Sequence, residues 1–263
     1  MRQRKLIMVF LAVWLSVAGG SGFANAYTYY GYSDWGGTWH DVNKNFQGDD
    51  LLCWAAAASN ILAWSGWGLG YQEGGIFNYF KDYWTNLGGS PNLAWNWWFD
   101  GTQLMAGQAG WSQLNAFGGG NFWPGLDYSN YRHTQVWGNV MATAYSDLKS
   151  GYGVTLGIFT DTGGAHSITL WGVDYYTILG SVIGYTGVWI TDSDDKKTAL
   201  VNYGIYWDFI HDRWCLEGGL TDWYIGQVEA LGRFDVLVPL PPSLLLLGSG
   251  LLGLAGWRRF RKG

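Results

Sequence analysis

Residues 152–173 read Tyr-Gly-Val-Thr-Leu-Gly-Ile-Phe-Thr-Asp-Thr-Gly-Gly-Ala-His-Ser-Ile-Thr-Leu-Trp-Gly-Val. Two runs within them, Tyr152–Phe159 and His166–Val173, alternate in the manner of half-buried β-strands. The flexible loop Thr162-Gly-Gly-Ala165 separates them. Downstream, further strands are expected at Val182–Thr191, Leu200–Trp207 and Trp223–Phe234. Upstream the pattern is helical. Leu51–Trp64 (LLCWAAAASNILAW) has four consecutive Ala and apolar positions all round, which predicts a buried helix. Asp49 and Asp50 precede it and suit its N-terminus, by capping and by the dipole. A short helix is expected over Ile76–Trp84 and a second clear one over about Thr134–Leu148. Gly66–Tyr131, dense in Gly, Trp and Asn, is the least regular region. Helices first and strands later predict an α+β fold, a helical half packed on an antiparallel sheet. No fixed-period repeat or long linker divides 27–237, so one domain is expected.

The two ends differ from this body. Met1-Arg-Gln-Arg-Lys5, the apolar run Leu6–Val17 and the small-residue segment ending Ala24-Asn25-Ala26 have the order of a signal peptide, residues 1–26. Tyr27 would then be the first mature residue. At the other end, Val238-Pro-Leu-Pro-Pro-Ser243 precedes the apolar stretch Leu244–Trp257 and the basic cluster Arg258-Arg-Phe-Arg-Lys262. Fourteen residues span about 21 Å of a roughly 30 Å hydrocarbon core, short for a permanent span. The tail, 238–263, resembles the PEP-CTERM sorting signals of Gram-negative bacteria. That resemblance implies recognition by an exosortase, transient insertion into the inner membrane, and delivery to the cell surface, the extracellular matrix or the medium. A plain tail anchor is the alternative.

Composition excludes several classes. The chain has 263 residues, 48% of them hydrophobic and 18% aromatic, which argues against disorder. Two Cys cannot staple a disulfide scaffold. The ends carry seven of the 15 basic residues and none of the 20 acidic ones, so the domain between them has a net charge of −12. Nucleic acid is therefore a poor partner.

Three features of the body could do chemistry. Cys53 falls in the first turn of its predicted helix, where partial positive charge favours the thiolate. A buried Cys in an Ala-rich helix can equally be packing. His166 begins a strand beside a Gly-rich loop, and could project into a cleft or be structural. Asp192 and Asp194 end another strand in Thr191-Asp-Ser-Asp-Asp195. As a Ca²⁺ loop this segment fails, since the twelfth residue from Asp192 is Tyr203 rather than Glu. Cys, His and Asp in that chain order form the arrangement of papain-like peptidases.

The local sequences extend this likeness. Trp39-His-Asp-Val-Asn-Lys-Asn-Phe-Gln-Gly-Asp-Asp-Leu-Leu-Cys53 resembles the nucleophile region of the IdeS-type immunoglobulin-degrading cysteine peptidases. So do Asn60-Ile-Leu62, His166–Asp174, Trp189–Asp194 and Ile225–Phe234. The resemblance implies a papain-like cysteine peptidase fold, with Cys53 as nucleophile, His166 as base, Asp192 as its orienting carboxylate and Asp194 in support. It also implies an oxyanion site made by Lys44 and the Cys53 N–H. No cofactor or metal is implied, and His40, His133 and His211 have no metal-ligand spacing. Trp54 stands where that family has Gly, and Gly66–Tyr131 has no close match, so immunoglobulin specificity does not transfer. The expected activity is a secreted or surface-sorted cysteine endopeptidase acting on an extracellular protein or peptide. Acyl transfer by the same residues, or a non-catalytic Trp-rich glycan-binding module, are the alternatives. A Cys53–Cys215 disulfide would exclude catalysis.

Overall fold

The computed structural model describes residues 24–101 and 116–234. The predicted leader up to residue 23 and the tail 238–263, with its apolar segment 244–257, lie outside them. No helix among the described residues is long and apolar enough to cross a membrane.

Eight strands form one antiparallel sheet: β1 Asn25–Tyr30, β2 Arg132–Val136, β3 Tyr152–Phe159, β4 Ala165–Ile178, β5 Ser181–Thr191, β6 Val201–Asp208, β7 Arg213–Leu216 and β8 Tyr224–Gly232. Around the sheet the order β4-β3-β8-β7-β6-β5 returns to β4 through a direct β4–β5 pairing, so six strands close into a barrel. The two extra strands share edges of the long ones. β1 continues the β4 edge past β3, pairing Tyr30 with Gly172, and β2 continues the β8 edge past β7.

This closure overturns the expected papain-like α+β fold, a helical half packed on an antiparallel sheet. The described chain is mostly a closed antiparallel β-barrel with few helices: α1 Gly31–Asp34, α2 Cys53–Ser65, α3 Glu73–Tyr83, α4 Pro91–Asp100 and α5 Val140–Lys149. The physical cause lies in β4 and β5. Three register shifts interrupt their ladder, and such bulges bend and twist a strand pair enough to bring a sheet round on itself. Alternation along single strands carries no sign of that closure. The helix expected over Thr134–Leu148 is also corrected. Its first part is β2, and Gly138, at φ +80°, separates that strand from α5.

The alternation first read in β3 sorts its side chains between two cores. Val154, Leu156 and Ile158 pack with Val140, Met141, Ala144 and Leu148 of α5. The opposite face meets α2, where Gly153 is required because a Cβ would stand 2.7 Å from an Ile61 methyl. The second core joins α2, α3 and α4 and is built from tryptophan. Trp54, Trp67, Trp95, Trp97, Trp98 and Trp171 are essentially fully buried. Burying an indole leaves an N–H that needs an acceptor; the Thr191 hydroxyl supplies it for Trp171 and backbone carbonyls for the others. Trp67 Nε1 donates to Gly232 O at 2.6 Å, Trp95 to Ala58 O at 3.2 Å and Trp98 to Trp67 O at 3.0 Å. Each indole thereby fixes a contact between elements as well as filling space.

Candidate active site

Cys53 opens α2, whose N-cap is Leu52 without a side-chain capping bond. Asp49 does not cap the helix as expected. Its carboxylate takes the Asn45 N–H at 3.2 Å and the Lys81 ammonium at 2.9 Å. The Cys53 thiol thus meets the first turn with no carboxylate competing for its backbone donors.

His166 lies at the start of β4, and Asp192 immediately follows β5. The β4–β5 pairing that closes the barrel therefore brings this strand start and strand end together. His166 Nε2 and Asp192 Oδ1 are 2.7 Å apart. The same oxygen accepts the Asp194 backbone N–H at 2.9 Å, which fixes the carboxylate. With Nε2 engaged, Nδ1 is the ring nitrogen left for the thiol, and Cys53 and His166 share a hydrogen bond.

The charges follow from this contact. Burial pushes the Cys53 thiol up, but the bond and charge of His166, the Ser167 backbone and Lys44 together bring it below its ordinary value. Burial pulls the His166 imidazole down, and its bonds to Asp192 and Cys53 overcome that and raise it to about 10. Burial acts against Asp192 ionising, and the His166 contact wins, holding it below the usual carboxylate range. The three groups favour a thiolate, an imidazolium and a carboxylate in a row.

Lys44 is buried, with its side chain only 1% exposed, and pairs with Asp194 Oδ1 at 2.7 Å. It also donates to Asp50 O at 2.5 Å, and its backbone N–H bonds Ser193 O at 2.9 Å. The ammonium also lies over the Phe46 ring, 5.2 Å from its centroid. Asn60 on α2 secures this segment, accepting the Val42 N–H at 3.0 Å and donating to Thr169 Oγ1 at 3.0 Å.

All five residues singled out in the sequence, Lys44, Cys53, His166, Asp192 and Asp194, line one cleft of about 910 Å³. Its walls include Gly88–Pro91, Phe159, Leu220 and Trp223. Sequence reading missed Ser90, Gln227 and Glu229, which line the same cleft. Glu229 did carry a signal, as an ionisable residue between Val228 and Ala230 in an apolar strand. Donor atoms of His166, Asp192 and Asp194 lie within 4.8 Å of one another, close enough to share a cation. In the present arrangement these groups are engaged with each other and with Lys44. The remaining histidines are apart from the cleft, each on its own carboxylate: His40 on Glu73, His133 on Asp147 and His211 on Asp208. Both cysteines are free, and Cys215 on β7 is buried.

The PEP-CTERM protein-sorting motif matches residues 237–262, one residue earlier at each end than the tail read from the sequence. The chain therefore carries the signal for exosortase-dependent sorting, which implies export in a Gram-negative bacterium and passage through a membrane-associated step. No curated protein matches the chain, so the likeness to immunoglobulin-degrading peptidases finds no support there.

Proposed function

We propose that the domain is an exported cysteine endopeptidase that cleaves an extracellular protein through an acyl-enzyme. One observation carries this reading: a Cys at a helix start, hydrogen-bonded to a His whose far nitrogen is held by a buried Asp. In the reaction the Cys53 thiolate attacks the scissile carbonyl carbon. The carbonyl π pair moves to oxygen, where the Cys53 N–H and the positive charge of the Lys44 ammonium stabilise it. Collapse expels the amine, which takes its proton from the His166 imidazolium. Neutral His166 then removes a proton from water as it attacks the thioester, and the acid product leaves with Cys53 restored. Asp192 keeps the ring oriented and stabilises its charged form throughout. If an amine replaced water in the second step, the same groups would transfer the acyl chain.

The glycan-binding alternative rested on abundant tryptophan, and the burial of the six core indoles speaks against a sugar-stacking platform built from them. The test is alkylation of Cys53 by iodoacetamide at pH 6.5, wild type beside His166→Ala. The expected result is rapid labelling of the wild type alone; a wild-type rate equal to that of free cysteine removes the proposal. A peptide library digested with and without added amines then distinguishes hydrolysis from transfer.

A further inference from the structure

Gln227, Gly157 and Ser167 form one row across β8, β3 and β4, since Gly157 pairs with both Gln227 and Ser167. The Ser167 backbone touches the thiol of Cys53. Two interstrand spacings of about 4.8 Å separate Ser167 from Gln227, so Gln227 is about 10 Å from the nucleophile's strand neighbour. Glu229 follows Gln227 by two residues on the same face of β8. The residue is only 3% exposed and still lines the cleft.

Every contact to that carboxylate comes from a neutral group. Oε2 accepts the Asn92 backbone N–H at 3.1 Å, Oε1 accepts Asn92 Nδ2 at 2.9 Å and Gln227 Nε2 at 2.7 Å, and the Ser90 hydroxyl donates a further bond. Among the described residues no Lys or Arg forms an ion pair with it; Arg132 acts on it without contact and lies over the Tyr128 ring. A buried carboxylate bounded only by neutral donors favours any cation that can reach it. Gln227 has the longest side chain of these donors. It lies over Gly157, where a Cβ would be 2.9 Å from Gln227 Cβ, and both residues line the cleft. Asn92, by contrast, is fixed in α4 and bonded by Tyr128 and Thr134.

We infer that Glu229 is a specificity-determining residue of the cleft, receiving a Lys or Arg side chain of the substrate beside the bond that Cys53 attacks, with Gln227 giving way to it. This rests on the proposed cysteine peptidase reading and narrows it to basic protein segments. The rest of the lining agrees in sign: Asp50, Asp192 and Asp194 line the cleft with Lys44 and the His166 imidazolium as its cations.

The test uses two peptidyl electrophiles that differ only in arginine against its neutral isostere citrulline beside the reactive group, applied at pH 8. The readout is the ratio of their Cys53 labelling rates, with iodoacetamide on the wild type as a separate control. Wild type is expected to prefer arginine by about tenfold or more, the scale of one buried charge-assisted hydrogen bond. Glu229→Gln should bring the ratio to about one. Gln227→Lys, which supplies an internal cation, should do the same and keeps the test decisive if Glu229→Gln does not fold. Failure of iodoacetamide to label Cys53 would overturn the peptidase reading. Rapid iodoacetamide labelling with a ratio near one in wild type, or an unchanged ratio in Gln227→Lys, would overturn this inference alone.

Discussion

His166 gains a partner on each side, and its pH behaviour follows from them. Its imidazole is raised from 6.5 to about 10 in the fold, through burial opposed by Asp192 and Cys53. A raised His contributes stability that is full below its unfolded value and lost as pH rises through the folded one. The stability gap between wild type and His166→Gln, read by urea unfolding, should therefore be widest below about pH 6.5 and close towards pH 10. Activity should follow the same groups. The acid limb lies below the ordinary thiol value because Cys53 is lowered, and the alkaline limb falls near 10 as the imidazolium is lost. A pH–rate profile with an acid limb at the ordinary thiol value would contradict the ion pair. Lys44 acts on a different quantity. Replacing it with Met removes positive charge from the proposed oxyanion site, and about a 10²-fold fall in kcat with little change in KM is expected. A change confined to KM would instead assign Lys44 to substrate binding.

At the scale of elements, α4 is the hinge between cleft and core. Its sequence spells out its boundaries: Ser90 accepts the Leu93 N–H, Pro91 occupies the first turn and Gly101 ends it at φ +78°. Ser90→Ala should cost about 1 kcal/mol in chemical denaturation. Glu229 ties this helix start to β8, and burial raises its carboxyl from 4.5 to about 7. A carboxyl raised in the fold stabilises most while protonated, so its contribution is full below about 4.5 and lost as pH rises through about 7. Wild type should lose stability over that interval relative to Glu229→Gln, and parallel curves would show that the carboxylate is solvated. Most of these elements were legible. The strands 152–159 and 166–173, the Ala-rich helix and the order Cys53, His166, Asp192 stand out by period and composition, whereas Lys44 was singled out only by the family resemblance. α4 was missed despite its caps, because Trp and Asn blurred its apolar stripe. β2 and β7 are too short, at five and four residues, to show alternation. Closure of the barrel was illegible for another reason: it depends on bulges between β4 and β5, a property of the pair rather than of either strand.

For the whole molecule, the barrel explains how catalytic geometry and export can be kept separate. The candidate nucleophile, base and carboxylate all lie between residues 44 and 194, and the last described strand ends at Gly232, before the sorting motif at 237–262 begins. Among the described residues, nothing in the cleft lining comes from beyond Glu229. Closure of the barrel uses β3–β8, all of which precede the sorting motif. Deleting 238–263 should thus leave Cys53 alkylation within about twofold of the full chain, since the described partners of the thiol, His166, Ser167 and Lys44, are all retained. The same deletion should abolish sorting, because the apolar segment and the basic cluster behind it supply membrane insertion and its orientation. Changing Arg258, Arg259, Arg261 and Lys262 to Ala together isolates the second contribution. Cell fractionation should then find the protein exported yet unprocessed, with the labelling rate of Cys53 unchanged. Loss of labelling in the tail deletion would show that the tail completes the domain, and the separation of address from active site would fall.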